Sequence, residues 1–320
     1  MPEQGVQWKP HESMLSFEEI LRICRIMAVL GIRKIKVTGG EPLVRRGVAS
    51  FLNNLKTISG IEKVTLTTNG LLLGAYLDEA GSIALDSPLI TSTELRSSEG
   101  SPLDAVNISL DTLDPQRYKR ITRHDGDPAK ILSFADRLLE KHIPVKINCV
   151  PVRSFNEEDI LPLTALAGEK NIIVRFIELM PLGSAAALKP IPGPEIAQMI
   201  EKAYGALSLF TGIRGNGPAV YYSLSGFTGK IGFINAVSRG FCETCNRLRL
   251  TSEGFLKLCL STDLGIDLRE LLRAGACDGE LERAITEAVA NKPRFHSLSG
   301  VYGAAPVEGQ HPAGMSGIGG

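Results

Sequence analysis

Three cysteines near the end of the chain have the spacing of metal ligands. The stretch FCETCNRLRLTSEGFLKLCL contains Cys242 and Cys245 in C-x-x-C spacing, and Cys259 follows after a short gap. Thiolates in such patterns bind zinc or iron–sulfur clusters. A structural zinc ion takes four ligands, so a zinc ribbon would need a distant fourth ligand such as Asp263 or His296. The alternative is a 4Fe–4S cluster with one iron open to a small molecule, and the spacing alone favours neither.

Two arginines follow the cysteine pair and suit an anionic ligand. Arg247 and Arg249 are two residues apart, so on a strand they would project from one face beside the cysteines. Guanidinium groups bind phosphate through paired, charge-assisted hydrogen bonds. We therefore expect a phosphorylated or otherwise anionic substrate at this site.

Strands and helices that alternate along the chain must position these residues. Over the first half, β-rich runs alternate with amphipathic segments, which predicts a parallel sheet of right-handed βαβ units. Segment 71–103 predicts a crossover helix enlarged by a surface loop. Later short strands predict an antiparallel appendage that carries the cysteines. The predicted strands are 32–38, 63–69, 105–111, 145–152, 171–179, 219–224, 230–237, 247–251 and 255–260, and the predicted helices are 17–30, 48–58, 129–141, 157–167, 268–274 and 281–290.

Polar residues follow the ends of several predicted strands, where α/β folds bind their ligands. The first strand leads into T-G-G-E-P, whose paired glycines allow a close approach to a ligand, although an ordinary βα turn is the alternative. The second strand ends in T-T-N-G, the third carries N-I-S-L-D, and the fourth carries Lys146 and Asn148. Four such strands in succession predict a polar pocket at the mouth of the sheet.

Composition narrows the class of protein. Thirty-five basic residues balance thirty-five acidic ones, so we expect no binding to nucleic acid or to an acidic membrane surface. The sequence has no apolar run of membrane-spanning length. Six cysteines among 320 residues without a signal peptide indicate thiols in a reducing cytoplasm. We interpret Cys24, Cys149 and Cys277 as small buried apolar residues.

Six stretches resemble, in order, the motifs of one enzyme family. They are TGGEPLVRRG, TTNG, VNISLDTLDP, RFIELMPLG, FCETCNRLRLTSEGFLKLCL and the terminal GMSGIGG. The chain resembles the GTP 3′,8-cyclases, which are radical S-adenosylmethionine (SAM) enzymes of molybdenum cofactor biosynthesis. The resemblance covers nearly the whole chain. The C-x-x-C-N-R-L-R motif with a third cysteine and a Gly-Gly terminus is specific, whereas G-G-E-P marks only the wider superfamily.

The resemblance implies a role for individual residues. It implies a 4Fe–4S cluster on the substrate side, whose open iron binds guanine, and a Gly319–Gly320 tail that reaches into the active site. It assigns no catalytic side chain. The implied cluster ligands are Cys242, Cys245 and Cys259; the implied SAM contacts are Gly40, Ser109 and Met180; and the implied GTP contacts are Lys36, Thr67, Lys146, Arg247 and Arg249.

The resemblance also implies a reaction and an architecture. Reductive cleavage of SAM yields a radical that takes a hydrogen from C3′ of GTP, and C3′ then bonds to C8 to give 3′,8-cyclo-GTP. The implied fold is a partial TIM-type barrel, residues 1–192, followed by an antiparallel iron–sulfur region, residues 193–320. An electron donor is the implied partner.

Two positions depart from the family pattern. Lys36 stands where arginine is usual, which keeps the charge but loses the bidentate fork. The C-x-x-x-C-x-x-C motif of the SAM-side cluster is absent from the printed chain, which begins with the M-P-E-Q-G that follows this motif in relatives. We therefore expect the first barrel strand to be missing, strand 32–38 to form an edge of a five-stranded sheet, and residues 1–16 to lie loosely near its mouth. An exposed edge favours self-association, with a homodimer as the candidate assembly.

Two other functions stay open at this point. One is a non-catalytic GTP-binding iron–sulfur protein that has lost the SAM-side cluster. The other is a radical SAM enzyme that acts on a peptide, which the R-x-R after C-x-x-C-N disfavours.

The printed chain should bind SAM only weakly and should form neither 5′-deoxyadenosine nor cyclised GTP under strong reductant, because it lacks the three thiolates of the SAM-side cluster. A version extended upstream through such cysteines should form both products. Anaerobic assays with chromatographic product analysis would check this, and turnover by the printed chain would contradict it.

Overall fold

The structure is a computed structural model that describes residues 10–86, 101–181, 183–212, 217–238 and 242–294. Its main feature is an eight-stranded sheet with the strand order β1-β2-β3-β4-β5-β8-β7-β6. From β1 through β5 to β8 neighbouring strands are parallel, and β7 and β6 extend the sheet antiparallel. The strands are β1 (Lys34–Val37), β2 (Lys63–Thr68), β3 (Ala105–Ser109), β4 (Val145–Cys149), β5 (Ile173–Ile177), β6 (Ser208–Leu209), β7 (Val220–Ser223) and β8 (Lys230–Ile234).

Seven helices belong to this part of the described chain, and their apolar sides form the main core with one face of the sheet. Their starts follow from local chemistry: Ser16 and Glu19 form a capping box, and Asp114 and Asp127 each cap a helix that opens with proline. Within the described residues, no helix has the length and apolar character needed to cross a membrane. The helices are α1 (Phe17–Val29), α2 (Val48–Lys56), α3 (Leu73–Asp86), α4 (Pro115–Thr122), α5 (Pro128–Glu140), α6 (Ile160–Glu169) and α7 (Gly193–Tyr204).

A small second sheet carries the cysteine region. It contains β9 (Arg249–Leu250), β10 (Phe255–Lys257) and β11 (Gly265–Asp267), which are antiparallel, and it is followed by α8 (Leu268–Arg273) and α9 (Asp278–Ala290). Its own apolar core also takes residues from α1. Helix α1 therefore contributes one side to the main core and the other side to the core of the cysteine region. The buried members of the second core are Leu15, Ile23, Ile26, Leu256, Leu268, Leu272, Leu281 and Ile285.

Three arginines fix the segment that precedes α1. The four consecutive carbonyls of residues 12–15 accept hydrogen bonds from the guanidinium groups of Arg45, Arg269 and Arg273. Arg45 follows the G-G-E-P turn, whereas Arg269 and Arg273 belong to α8. The amide of Leu15 also donates to the carbonyl of Ser252 at 2.8 Å. We call these contacts the arginine strap.

The first-half strand predictions are confirmed to within a few residues, and β1 lies at one edge of the sheet within the described residues. The expected five-stranded sheet is wrong. Strand β8, which we assigned to the antiparallel appendage, pairs in parallel with β5, and β7 and β6 continue the same sheet. A short strand with alternating apolar residues gives no sign of which neighbour it joins.

Two further expectations are wrong in part. Residues 10–16 do not lie loosely, because the arginine strap and the Ser16 cap hold them; residues 1–9 lie outside the described part. Cys24 and Cys149 are buried as predicted, but Cys277 is exposed, where it caps α9. In segment 71–103 the helix is confirmed as α3, and the expected surface loop falls on residues 87–100, outside the described residues.

Candidate active site

One face of the eight-stranded sheet carries a row of polar side chains. Register places Lys36 beside Thr65, Thr67 beside Asn107, Asn107 beside Lys146, and Asn148 beside Arg175. Because side chains alternate along a strand, these residues share one face. The residues between them, including Leu66, Val106, Ile108, Ile147 and Val174, are fully buried in the helix-covered core.

Arg175 lies at the centre of this polar face. Its side chain is buried, and its guanidinium donates to the Oδ1 atoms of Asn148 (2.8 Å, from Nε) and Asn107 (2.6 Å, from Nη2). Asn107 is itself oriented by the carbonyl of Leu66, which accepts from its Nδ2 at 3.0 Å. Burial lowers the pKa of Arg175, and hydrogen bonding to Tyr221 opposes that shift. No carboxylate in the described part of the chain forms an ion pair with this guanidinium.

Other cations converge on the same place. Burial lowers the pKa of Lys36 to about 8, and repulsion from three arginines adds to the effect. The Lys36 side chain is nevertheless exposed to solvent, so a ligand can reach its ammonium. The three arginines are Arg175, Arg247 and Arg249. The predicted contacts Lys36, Arg247 and Arg249 are thus brought together from two different sheets.

Lys146 and Thr67 lie on the same polar face. The Lys146 ammonium stands 6.0 Å from the centroid of the Tyr221 ring. Thr67 is buried, and its Oγ1 accepts a long hydrogen bond of 3.4 Å from Asn107. Gly232 of β8 is paired with Arg175, and packing requires a glycine at this position. A Cβ there would stand 2.9 Å from the Tyr221 ring and 3.0 Å from Cγ of Arg175. Its lack of a side chain makes room for the central arginine and the tyrosine.

The predicted SAM contacts follow strands of the sheet. Gly40 follows β1, Ser109 ends β3 and is exposed, and Met180 follows β5 and is half-buried. A Cβ built at Gly39 or Gly40 meets nothing within 4 Å, and neither residue has a positive φ. Packing and backbone conformation therefore do not require these glycines, which leave open space at the end of β1.

Glu41 of the same turn joins two strand ends. Its Oε1 accepts from Oγ1 of Thr68 at 2.8 Å and from the amide of Leu43 at 3.0 Å. Its Oε2 accepts from the amide of Asn69 at 2.7 Å. The G-G-E-P and T-T-N-G turns are therefore fixed to each other by one carboxylate.

The acidic residue of the N-I-S-L-D stretch is held in a similar way. Asp111 accepts from the amide of Val150 at 2.8 Å. Burial raises the pKa of Asp111 to about 6; nearby Asp159 contributes in the same direction, whereas the Val150 amide opposes the shift. The turn after β3 is thus tied to the turn after β4.

The hairpin of β9 and β10 brings the predicted cluster ligands to one end. Its register ends with Arg249 opposite Lys257, and beyond that pair the two strands lead to Cys245 and Cys259. Cys242 opens a short 3₁₀ helix, and its carbonyl accepts from the amide of Cys245 at 3.0 Å. All three thiols are partly exposed. Arg247 lies just before β9 rather than within it, which corrects the predicted strand 247–251.

The charges around Cys245 favour its thiolate. Burial opposes ionisation of Cys245, but hydrogen bonds from Arg247, with its charge and that of Lys292, outweigh this and lower the pKa of the thiol. Arg249 has a lowered pKa because of burial and repulsion from Arg247, an effect that Cys245 and Cys259 oppose. Arg249 is therefore close to both cysteines.

A site for a single metal ion is not formed here. Among the described residues, no three His, Cys, Asp or Glu side chains are grouped as ligands of one ion. Asp263, a candidate fourth zinc ligand, instead accepts from the buried Lys257 at 3.0 Å. His296 and the Gly319–Gly320 tail lie outside the described residues.

Glu178 is a buried residue that sequence reasoning missed. Its Oε2 accepts from the amides of Val237 (2.8 Å) and Ser238 (2.9 Å). This carboxylate, just after β5, fixes the chain that leads from β8 towards Cys242. Sequence reasoning also missed Arg175, which lies in the same predicted strand. A charged residue inside an otherwise apolar strand was the signal that could have found it.

Comparison with known proteins shows the family of this chain. The family model of the Radical SAM superfamily matches residues 3–167, and that of Molybdenum Cofactor Synthesis C matches residues 172–298. A GTP 3′,8-cyclase of Clostridium perfringens is 43% identical over 90% of this chain and 83% of its own length. One of Moorella thermoacetica is 41% identical over 100% of this chain and 92% of its own. The chain belongs to the GTP 3′,8-cyclase family.

Members of the GTP 3′,8-cyclase family act on GTP in molybdenum cofactor biosynthesis, and as radical SAM enzymes they use SAM with 4Fe–4S clusters. The crystal structure of Streptococcus suis SuiB bound to precursor peptide SuiA is similar in fold. It superposes with a TM-score of 0.51 at 16% identity, covering 91% of this chain and 60% of that one. The GTP 3′,8-cyclase fold described here is thus an α/β radical SAM fold with a mixed, mainly parallel sheet and a small antiparallel sheet.

Gly232→Ala should displace Arg175 and Tyr221, because the new methyl group would overlap both side chains. Overpacking of this kind typically lowers the free energy of unfolding by about 1–3 kcal/mol. Chemical denaturation would measure the loss. Gly279→Ala is the matched control, since a Cβ at Gly279 in α9 meets nothing within 4 Å. Equal stability of the two variants would contradict the packing role of Gly232.

Proposed function

We propose that the polar face of the sheet and the cysteine hairpin together bind GTP, with the triphosphate on the basic cluster and the guanine on the open iron of a 4Fe–4S cluster. The observation that carries this proposal is the buried Arg175, which is hydrogen-bonded to the neutral side chains of Asn107, Asn148 and Tyr221 and has further cations around it. A buried charge without a counter-charge is costly, so the arrangement is stable when an anion joins it.

The shape of the cluster suits a triphosphate better than a single carboxylate. Lys36, Lys146 and Arg175 extend over three strands of one face, and Arg247 and Arg249 approach from the second sheet. Arginine supplies bidentate hydrogen bonds to phosphate, whereas lysine supplies a point charge. Thr67, beside Asn107, would contribute a hydroxyl group near the ribose.

The donor set at the hairpin fits a 4Fe–4S cluster. Cys242, Cys245 and Cys259 are thiols, and each would bind a different iron, so they need not converge on one point. Cations around Cys245 favour the thiolate that ligation requires. With three ligands, one iron is left for the purine.

Gly40, Ser109 and Met180 would hold SAM at the ends of the first, third and fifth strands. The open space at Gly39 and Gly40 supports this proposal, because a ligand can approach the backbone there. Bound SAM, with an iron–sulfur cluster whose C-x-x-x-C-x-x-C ligands are not among the printed residues, would supply the radical that takes the C3′ hydrogen of GTP. The chain itself orients the ribose between the two sheets and holds the triphosphate.

The remaining assignments are also proposals. We place the boundary between the two functional regions at residues 192 and 193. An electron donor and a homodimer are the partners we propose; the exposed edge at β1 supports the homodimer. Balanced charge argues against nucleic acid as a partner. Free thiols at all six cysteines support a cytoplasmic location.

Anaerobically reconstituted protein should bind roughly one 4Fe–4S unit at the hairpin, with all three cysteines as ligands. Iron and sulfide analysis of the wild type and of a Cys242→Ser variant would check this. GTP should also perturb the EPR signal of the reduced cluster, since one iron is open. Stoichiometric zinc without iron uptake would instead indicate a ribbon.

Alanine at Lys146, Arg247 or Arg249 should weaken GTP binding roughly ten- to a hundredfold, because a charge-assisted contact is typically worth about 1.5–3 kcal/mol. Calorimetry would measure the affinities, with exposed Lys202→Ala on α7 as the control. Wild-type affinity in all three variants would show that the triphosphate binds elsewhere.

GTP affinity should fall as the pH rises above about 8, because Lys36 has lost its proton in the free protein and must regain it to pair with phosphate. With a bound-state pKa near the ordinary value for lysine, the loss is roughly tenfold between about pH 7 and about pH 9. Lys36→Arg stays protonated over this range and should remove the decline. Titrations of GTP binding at several pH values would check this prediction. An equally steep decline of affinity in Lys36→Arg would exclude Lys36 as the group responsible.

A further inference from the structure

Lys292 lies where the last described helix meets the cysteine region. Helix α9 ends at Ala290, and the amide of Lys292 donates to the carbonyl of Val289 at 3.0 Å. Proline follows at position 293 and restricts the backbone. The lysine is half-buried, and its stem runs from the end of α9 towards the hairpin.

The Lys292 ammonium bridges both strands of the hairpin beyond the end of their pairing. Nζ donates to the carbonyl of Arg247 at 3.0 Å and also to the carbonyl of Leu258. The last paired residues of the hairpin are Arg249 and Lys257, so these carbonyls lie just past the ladder. The amide of Leu258 points away to Leu264, to which it donates at 3.0 Å. The Lys292 ammonium thus joins the two strands just past the point where their backbone pairing ends.

The two bridged residues adjoin the proposed cluster ligands. Arg247 is two residues after Cys245, and Leu258 directly precedes Cys259. Leu258 is almost fully buried, so its carbonyl would lose a partner that water does not readily replace. Two bonds from one ammonium therefore set the separation of the two chain segments.

We infer that Lys292 is a positioning residue, which holds the segments of Cys245 and Cys259 at the separation that the cluster requires. This inference rests on the proposed function, since it assumes that these cysteines bind one cluster. Lysine suits the role because an ammonium has three donors and no acceptor, and can bond two carbonyls at once. Partners that orient metal ligands typically change metal affinity by about 10- to 100-fold when they are removed.

The test compares Lys292→Met, which keeps the apolar stem and removes the donors, with Lys292→Arg, which restores donors to both carbonyls. Lys202→Met on α7 is the control for loss of an exposed lysine. After anaerobic reconstitution of the full chain, iron transfer to a chelator is timed. We expect Lys292→Met to release iron about tenfold to a hundredfold faster than wild type, and Lys292→Arg to be close to wild type. Lys202→Met should not differ from wild type.

A second measurement works without metal. Hydrogen exchange on the iron-free protein should show faster exchange around residues 245–249 and 256–260 in Lys292→Met, but not in Lys292→Arg. Unchanged exchange together with wild-type iron retention in Lys292→Met would overturn the inference. If wild type itself takes up no iron, the proposed function fails, whereas the exchange experiment still decides whether Lys292 positions the hairpin. If Lys292→Met does not fold, Lys292→Gln, which bonds fewer carbonyls, takes its place in both measurements.

Discussion

The guanidinium of Arg175, bonded to the amide oxygens of Asn107 and Asn148, organises the polar face of the sheet. These bonds connect three adjacent strands through side chains, and they engage two N–H groups of the guanidinium with neutral acceptors, which do not cancel its charge. Burial lowers the pKa of Lys36, and repulsion from Arg175, Arg247 and Arg249 adds to that shift. A side chain at position 232 would overlap Arg175 and Tyr221, so this position requires glycine. An anion that binds among these cations would relieve the repulsion and supply a counter-charge to Arg175, so binding and local stability would be coupled here.

The second half of the site depends on how the small sheet is held against the large one. Helix α1 connects them, since its two sides belong to two different cores. Glu178 fixes the chain that leads towards Cys242, and Lys292 fixes the open end of the hairpin. Arg247 and Arg249 therefore come near Lys36, although Arg249 belongs to the separate small sheet and Arg247 lies just before it. Polar bonds and the two apolar cores that share α1 together set this approach.

Local patterns in the sequence were enough to predict most of the parallel sheet. The alternation of β-rich runs with amphipathic segments is a local signal, and it predicted the early strands and helices. The partner of β8 depends on long-range pairing, for which its sequence carries no mark. Arg175 was overlooked because its strand looked apolar, and its role exists only once Asn107 and Asn148 stand beside it. The Lys292 ammonium binds backbone carbonyls. Because every residue has a carbonyl, this role leaves no motif in the sequence.

The arginine strap has a consequence for synthesis. Ser13 and Arg269 are 256 residues apart in the chain, yet they are hydrogen-bonded. At about 5–20 residues per second, translation separates their emergence from the ribosome by roughly 13–50 s. During that interval Leu15, Ile23 and Ile26 have no cover, because the rest of their core has not been made. The nascent chain therefore presents an apolar stripe along α1 until its last third emerges, and this stripe is a surface on which a chaperone can act.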